Sequence, residues 1–121
     1  VLTADVDLLS PCAVGDVITA DVARSLRAWA VCGGANNICA DAAAHEALHQ
    51  RGILFVPDLV SSAGAVIEGI GRTVMGLDDR TPLIDALRHT ALCVLEDAQR
   101  TNRPPIVHAM RRAEQRLADA R

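Results

Sequence analysis

Ala28-Trp29-Ala30-Val31-Cys32-Gly33-Gly34-Ala35-Asn36-Asn37 is the stretch on which the reading of this 121-residue chain turns. Its first five residues are apolar without alternation, as in a parallel strand covered by helices on both faces, and they run into a Gly/Asn loop. Upstream, Val6 to Leu9 is a short apolar run closed by Ser10-Pro11, which predicts a first strand. Between the two, Val22, Ala23 and Leu26 recur at helical spacing behind an N-cap at Thr19 or Asp21. Downstream, Ala40 to Arg51 is Ala-rich and helix-favouring, with Ala44, Leu48 and Ala47 on one face and Gly52 where the helix should stop. Ile53-Leu54-Phe55-Val56 then predicts a third strand, ended by Pro57-Asp58. The order is β-α-β-α-β, and right-handed crossovers make the strands parallel. The expected fold class is α/β, with a partial parallel sheet of about three strands.

The rest of the chain predicts helices. After Ser61-Ser62-Ala63-Gly64, the apolar segment Ala65 to Ile70 belongs to a helix that starts near the Ser pair. Thr81-Pro82 reads as a cap and a first-turn proline, and the stripe Leu83, Leu87, Thr90/Ala91, Val94, Ala98 carries a helix to about Gln99. Asn102 to Pro105 breaks it, after which Ile106, Met110, Ala113 and Leu117 define a final amphipathic helix with Arg111, Arg112, Glu114 and Arg116 outside. About five helices are expected in all. Residues 1–76 form one α/β unit and residues 77–121 a C-terminal helical segment.

Half of the residues are apolar, which argues for a folded domain with one core, yet the aromatic residues are two, Trp29 and Phe55, so that core must be aliphatic. A formal charge of −3 removes the basic surface that phosphate neutralisation requires, and no nucleic-acid partner is expected. The apolar stretches fall far short of the roughly 20 residues of a membrane helix, so no membrane partner is expected either. Cys12, Cys32, Cys39 and Cys93 show no CxxC spacing, and with no secretion signal they read as reduced thiols of a cytoplasmic protein. All 12 basic residues are Arg. Chemistry that needs a lysine amine cannot be done by this polypeptide alone.

In a parallel sheet the strand carboxyl ends share one edge, where open α/β proteins bind ligands. Ser10 to Ala13, Gly33 to Asn37 and Pro57-Asp58 meet there, with Ser61 to Gly64 just beyond. Small residues admit a ligand to the backbone, and Asn side chains offer donors and acceptors for an amide or a ribose hydroxyl. The competing reading is that Gly-Gly and Asn-Asn serve as turn residues. His45 and His49 are spaced i, i+4 but lack a third ligand and read as a surface pair rather than a zinc site. His89 and His108 read as partly exposed. Cys12 has no base near it in sequence and reads as a small packing residue; Cys39 falls at a helix start. Gly69-x-Gly71-x-x-Val74 lacks a third Gly and a preceding strand, and reads as a helix-end segment.

Pro11-Cys12-Ala13, Gly33 to Asn37, His49 to Asp58 and Ser62-Ala63-Gly64-Ala65-Val66-Ile67, in that order and spacing, resemble the last part of the Glu/Leu/Phe/Val dehydrogenases, nearest the phenylalanine dehydrogenases. The likeness covers about residues 5–76 and weakens toward the C-terminus. It implies the second half of a dinucleotide-binding, Rossmann-like domain followed by C-terminal helices. It also implies a parent that oxidatively deaminates a hydrophobic L-amino acid to a 2-oxo acid with NAD. By position, the resemblance implies that Pro11, Cys12 and Ala13 pass the nicotinamide ribose and that Ala35, Asn36 and Asn37 contact the nicotinamide end. Ser62 and Gly64 then stand at the substrate, with no catalytic residue and no metal ligand in this chain.

The chain departs from the family pattern at some of these motif positions. Ser62 stands where the family has Asn, and Gly15-Asp16 where it commonly has Gly-Gly. The Gly-rich phosphate turn and two substrate-binding lysines of the family have no counterpart here, so the isolated chain is expected to be inactive. The chain, which opens at Val1, reads as a C-terminal piece whose partners are NAD, an amino-acid substrate, a missing N-terminal half or partner chain, and further copies in a homo-oligomer. The alternative is a non-catalytic assembly or regulatory module, or a diverged relative with altered chemistry on an amino-acid-like substrate.

Overall fold

The computed structural model describes residues 1–120. Strands β1 (Leu8–Leu9), β2 (Ala30–Val31) and β3 (Leu54–Phe55) pair in the order β1-β2-β3, all parallel. Leu8 lies opposite Ala30, and Ala30 opposite Leu54. The regular strands are shorter than the apolar runs, but single bonds extend the ladder, from Trp29 N to Asp7 O at 3.2 Å and from Cys32 N to Leu9 O at 3.1 Å. Beyond the sheet edge, Ile18 and Cys39 form a further parallel bridge. Cys39 therefore precedes the next helix instead of starting it.

Helices α1 (Ala20–Ser25) and α2 (Ala42–Gln50) make the two crossovers. Thr19 caps α1, its hydroxyl accepting from Val22 N at 3.2 Å, and Asp41 caps α2, accepting from Ala44 N at 2.8 Å. Arg51, just past α2, donates to the Ala23 and Leu26 carbonyls at 2.8 and 2.7 Å, so a cation closes the C-terminal end of α1. Gly52 turns the chain into β3 at φ +68°. Ile18, Leu26, Val31, Ile38, Leu48 and Phe55 fill the core between sheet and helices. Trp29, which the run of apolar residues places under a helix, is 58% exposed instead, and Leu8 of β1, opposite Ala30, is exposed too.

Six helices are present among the described residues rather than five. The additional one is α3 (Asp58–Ser61), which starts directly after the buried Pro57. At its end the Ser62 hydroxyl donates to Asp58 O at 2.7 Å, and α4 (Ala63–Met75) continues from there. Arg80 crosses α4 at Gly71, where an added Cβ would lie 2.8 Å from Arg80 Cγ, and its guanidinium meets Glu68 at 2.6 Å. Gly71 is thus a crossing point for a side chain.

Helix α5 (Thr81–Thr101) follows the N-cap residue Arg80, so Thr81 is its first helical residue rather than its cap, and Asp79 accepts from Thr81 N at 3.0 Å just before it. It ends at Asn102, φ +51°, and α6 (Pro105–Asp119) follows. Val60, Val94 and Ala109 join α3, α5 and α6 in a second small core. His108 is 8% exposed and pairs with Thr101 Oγ1 at 2.8 Å, so it closes the α5–α6 corner rather than facing water; burial lowers its pKa. No helix among the described residues is long and apolar enough to cross a membrane.

Candidate functional site

The loops after the three strands are tied together at the carboxyl edge of the sheet. Ala35 N donates to Pro11 O at 3.1 Å, and Gly34 N to Cys12 Sγ at 3.4 Å, which joins the β1 loop to the β2 loop. Asp16 N donates to Asn37 O at 2.6 Å. Ser61 Oγ donates to Gly33 O at 2.6 Å, and Asn37 N to Asp58 Oδ2 at 2.9 Å, which joins the β2 loop to α3. The turn reading of Gly33 to Asn37 thus omits most of what the segment does: it is the middle member of a three-loop junction.

Asn37 (φ +52°) and Asp16 (φ +57°) both adopt the left-handed conformation and are bonded to each other. Left-handed backbone costs an ordinary L-residue about 1–2 kcal/mol, less for Asn and Asp. Asp16→Gly is expected to stabilise the fold by about 0.5 kcal/mol, read as a higher urea midpoint with an unchanged slope.

A cavity of about 520 Å³ opens beside this junction. Asn36, Asn37, Asp58 and Ser62 form its polar wall, and Leu59, Ala63, Val66 and Ile67 its apolar one. Of the expected site residues, Asn36, Asn37 and Ser62 reach the cavity. Cys12 and Ala13 lie exposed on the β1 side of the junction, Pro11 is half-buried beneath it, and Ala35 is buried. Gly64 turns elsewhere: an added Cβ there would meet Leu87 Cδ1 of α5 at 3.7 Å. Because the Ser62 hydroxyl donates to Asp58 O, it presents a lone pair to the cavity, not a proton.

Pro57-Asp58 is expected at this edge but with no role of its own, and Leu59 is not among the expected site residues. An acid directly after the proline that ends a strand, placed opposite an Asn pair prone to left-handed turns, is the signal that marks Asp58.

The cysteines have distinct chemistry. Hydrogen bonding to Ser10 Oγ, and then to the Gly34 N–H, holds the exposed Cys12 thiol below its usual pKa, whereas burial raises that of Cys32. Burial pushes Cys39 up to about 12, helped by the charges of Asp58 and Asp41. Iodoacetamide near neutral pH is expected to alkylate Cys12 first and to leave Cys39 unmodified until the chain unfolds, which peptide mapping reads directly.

His45 is not half of a surface pair. Its ring packs edge-on against Phe55, centroids 5.2 Å apart at 61°, and its Nδ1 is buried without a hydrogen-bond partner. Burial lowers its pKa, opposed by Asp58 and Asp41. Among the described residues, no group of three or more His, Cys, Asp or Glu is arranged to hold a metal ion.

Fold and junction together define an α/β protein with an open parallel sheet and a candidate ligand cleft at its strand carboxyl ends. The family model for Glutamate/Leucine/Phenylalanine/Valine dehydrogenase matches residues 1–71, and the chain belongs to that family of amino-acid dehydrogenases. It is 38% identical over 119 residues to valine dehydrogenase of Streptomyces coelicolor, covering 97% of this chain and 32% of that protein. With leucine dehydrogenase of Bacillus subtilis the identity is 31%, with the same coverage. The crystal structure of L-tryptophan dehydrogenase from Nostoc punctiforme superposes with a TM-score of 0.87 at 28% identity, over 97% of this chain and 36% of that one. The chain thus spans about a third of the length of the relatives it matches.

Proposed function

We propose that this chain is part of an NAD-dependent dehydrogenase that oxidatively deaminates a hydrophobic L-amino acid to its 2-oxo acid, and that it supplies the nicotinamide side of the cofactor cleft. Family membership supports the reaction class. The observation that carries the assignment of the site is the three-loop junction, with the exposed Asn36 amide on one flank and Cys12 on the other. On this reading Pro11, Cys12, Ala13, Ala35, Asn36 and Asn37 hold the cofactor and Ser62 borders the substrate, while Gly64 sits behind it against Leu87 of α5.

Gly34 is exposed and carries no side chain, and its nearest neighbour, Cys12 Sγ, would be only in ordinary contact with a Cβ at 3.7 Å, so open backbone at the junction supports the approach of a flat nicotinamide ring. Bound NAD would supply the hydride acceptor. Asn36 would orient the carboxamide, the Cys12–Gly34 wall would support the ribose, and Leu59, Ala63, Val66 and Ile67 would exclude water from an apolar side chain. Ser62 would accept a hydrogen bond from the substrate's amino group. With no lysine in the sequence, a lysine that anchors the substrate carboxylate has to come from another segment or chain. Residues 1–76 would act as the cofactor unit and 77–121 as its helical support, in a cytoplasmic homo-oligomer.

The test has two arms. Titration of NADH with the 121-residue chain should show only weak, non-stoichiometric binding; tight one-to-one binding would refute the half-site picture. A chimera that replaces the matching third of the Streptomyces coelicolor enzyme with this chain should reduce NAD in the presence of valine, leucine or phenylalanine. A folded chimera that binds NADH and oxidises none of them would overturn the dehydrogenase reading.

A further inference from the structure

We propose that Asp58 is a positioning residue of the cleft: its carboxylate clamps Asn37 and thereby fixes the Asn36 edge against which the nicotinamide end is held. This rests on the dehydrogenase reading for its purpose, but the clamp stands on geometry alone. Asn37 is gripped at both polar backbone atoms. Its N–H donates to Asp58 Oδ2 at 2.9 Å across 21 residues of sequence, and its carbonyl accepts from Asp16 N at 2.6 Å. That grip holds a non-glycine residue at φ +52°, a conformation that persists where its surroundings over-determine it.

Asp58 is itself anchored. It follows the buried Pro57, and its carbonyl accepts the Ser62 hydroxyl at 2.7 Å. The acid therefore transmits the position of β3 and α3 to the loop after β2. The packing around it is tight at one more point: a Cβ on Gly15 would lie 2.5 Å from Asn36 O, so the β1 loop closes over the same peptide from the opposite side. With one carboxylate oxygen committed to a backbone amide, Asp58 serves to hold the loop, and it is not assigned a step in the reaction.

Amide hydrogen exchange on the 121-residue chain tests the clamp. In Asp58→Ala the Asn37 amide should exchange at least about tenfold faster, the scale set by a hydrogen bond to a charged group, while the Leu54 and Val56 amides of the sheet stay protected. Asp58→Asn, which keeps an acceptor oxygen in place, should retain most of the protection. Unchanged exchange at Asn37 in a folded Asp58→Ala chain overturns the proposal. Should Asp58→Ala unfold, Asp58→Asn decides: retained protection at Asn37 supports the clamp, and equal loss there and in the sheet overturns it. In the chimera, Asp58→Ala should raise KM for NAD about tenfold with kcat nearly kept, whereas a fall in kcat alone overturns the positioning role. An unsubstituted chimera without activity is a failure of the dehydrogenase reading, and the exchange result still judges the clamp.

Discussion

Gly33→Ala is expected to cost about 3 kcal/mol or to prevent folding, because the new methyl has nowhere to go. A Cβ at Gly33 would stand 2.0 Å from Pro11 O and 2.8 Å from both Pro11 C and Pro11 Cδ. Those neighbours are backbone and a proline ring, neither of which can swing aside as a flexible side chain does. Moving the loops apart would also stretch the Ala35 N to Pro11 O bond and the Ser61 bond to Gly33 O. Gly69→Ala is the control with the opposite sign. Nothing lies within 4 Å of a Cβ there, and the position is inside α4, so a gain of up to about 1 kcal/mol follows from helix propensity. Urea unfolding followed by far-UV circular dichroism measures both, and a Gly33→Ala chain as stable as its parent would refute the close approach of the first two loops.

Phe55→Ala should cost about 4 kcal/mol, the range for emptying a buried phenylalanine site. Phe55 is 1% exposed and is the largest fully buried side chain, set where the sheet meets α2. Its loss also removes the edge-on partner of His45. Phe55→Leu should cost less, about 1.5 kcal/mol, since it restores most of the volume. The pH dependence should change as well. Burial depresses the folded pKa of His45 below its ordinary 6.5, so its neutral form favours folding; the associated stability is intact above 6.5 and is lost as pH falls toward the lower folded value. In Phe55→Ala, water reaches the ring, the two values converge, and that acid loss should flatten. For a domain whose total stability is about 5–15 kcal/mol, either this substitution or Gly33→Ala removes a large fraction.

The sheet was legible because its signals are local and redundant. Apolar runs without alternation, each closed by Pro or Gly, specify parallel strands whatever the side chains later touch, and Thr19 and Gly52 mark helix ends by their own chemistry. Where the reading departed from the structure, the cause lies in partners distant in sequence. Pro57-Asp58 reads as part of the same edge as Gly33 to Asn37, but nothing nearby shows that the Asp58 carboxylate will grip the Asn37 amide. His108 looked half-exposed because its partner, Thr101, belongs to the preceding helix, and His45 looked like a surface residue because Phe55 comes ten positions later on a strand. Trp29 looked covered because apolar sequence reports what a residue tolerates, and Leu8 of β1 is open as well. The cleft was legible as a convergence of loops, while the bonds that lock those loops together were not.

The open position of Trp29 has an optical consequence. The chain contains one tryptophan and no tyrosine, so its ultraviolet emission comes from a single indole at the edge of β2, 58% exposed to water. Emission should therefore be red-shifted in the free chain and quenched by iodide. Any strand, domain or second copy that lies down over Trp29 should shift it to the blue and shield it, with no label attached.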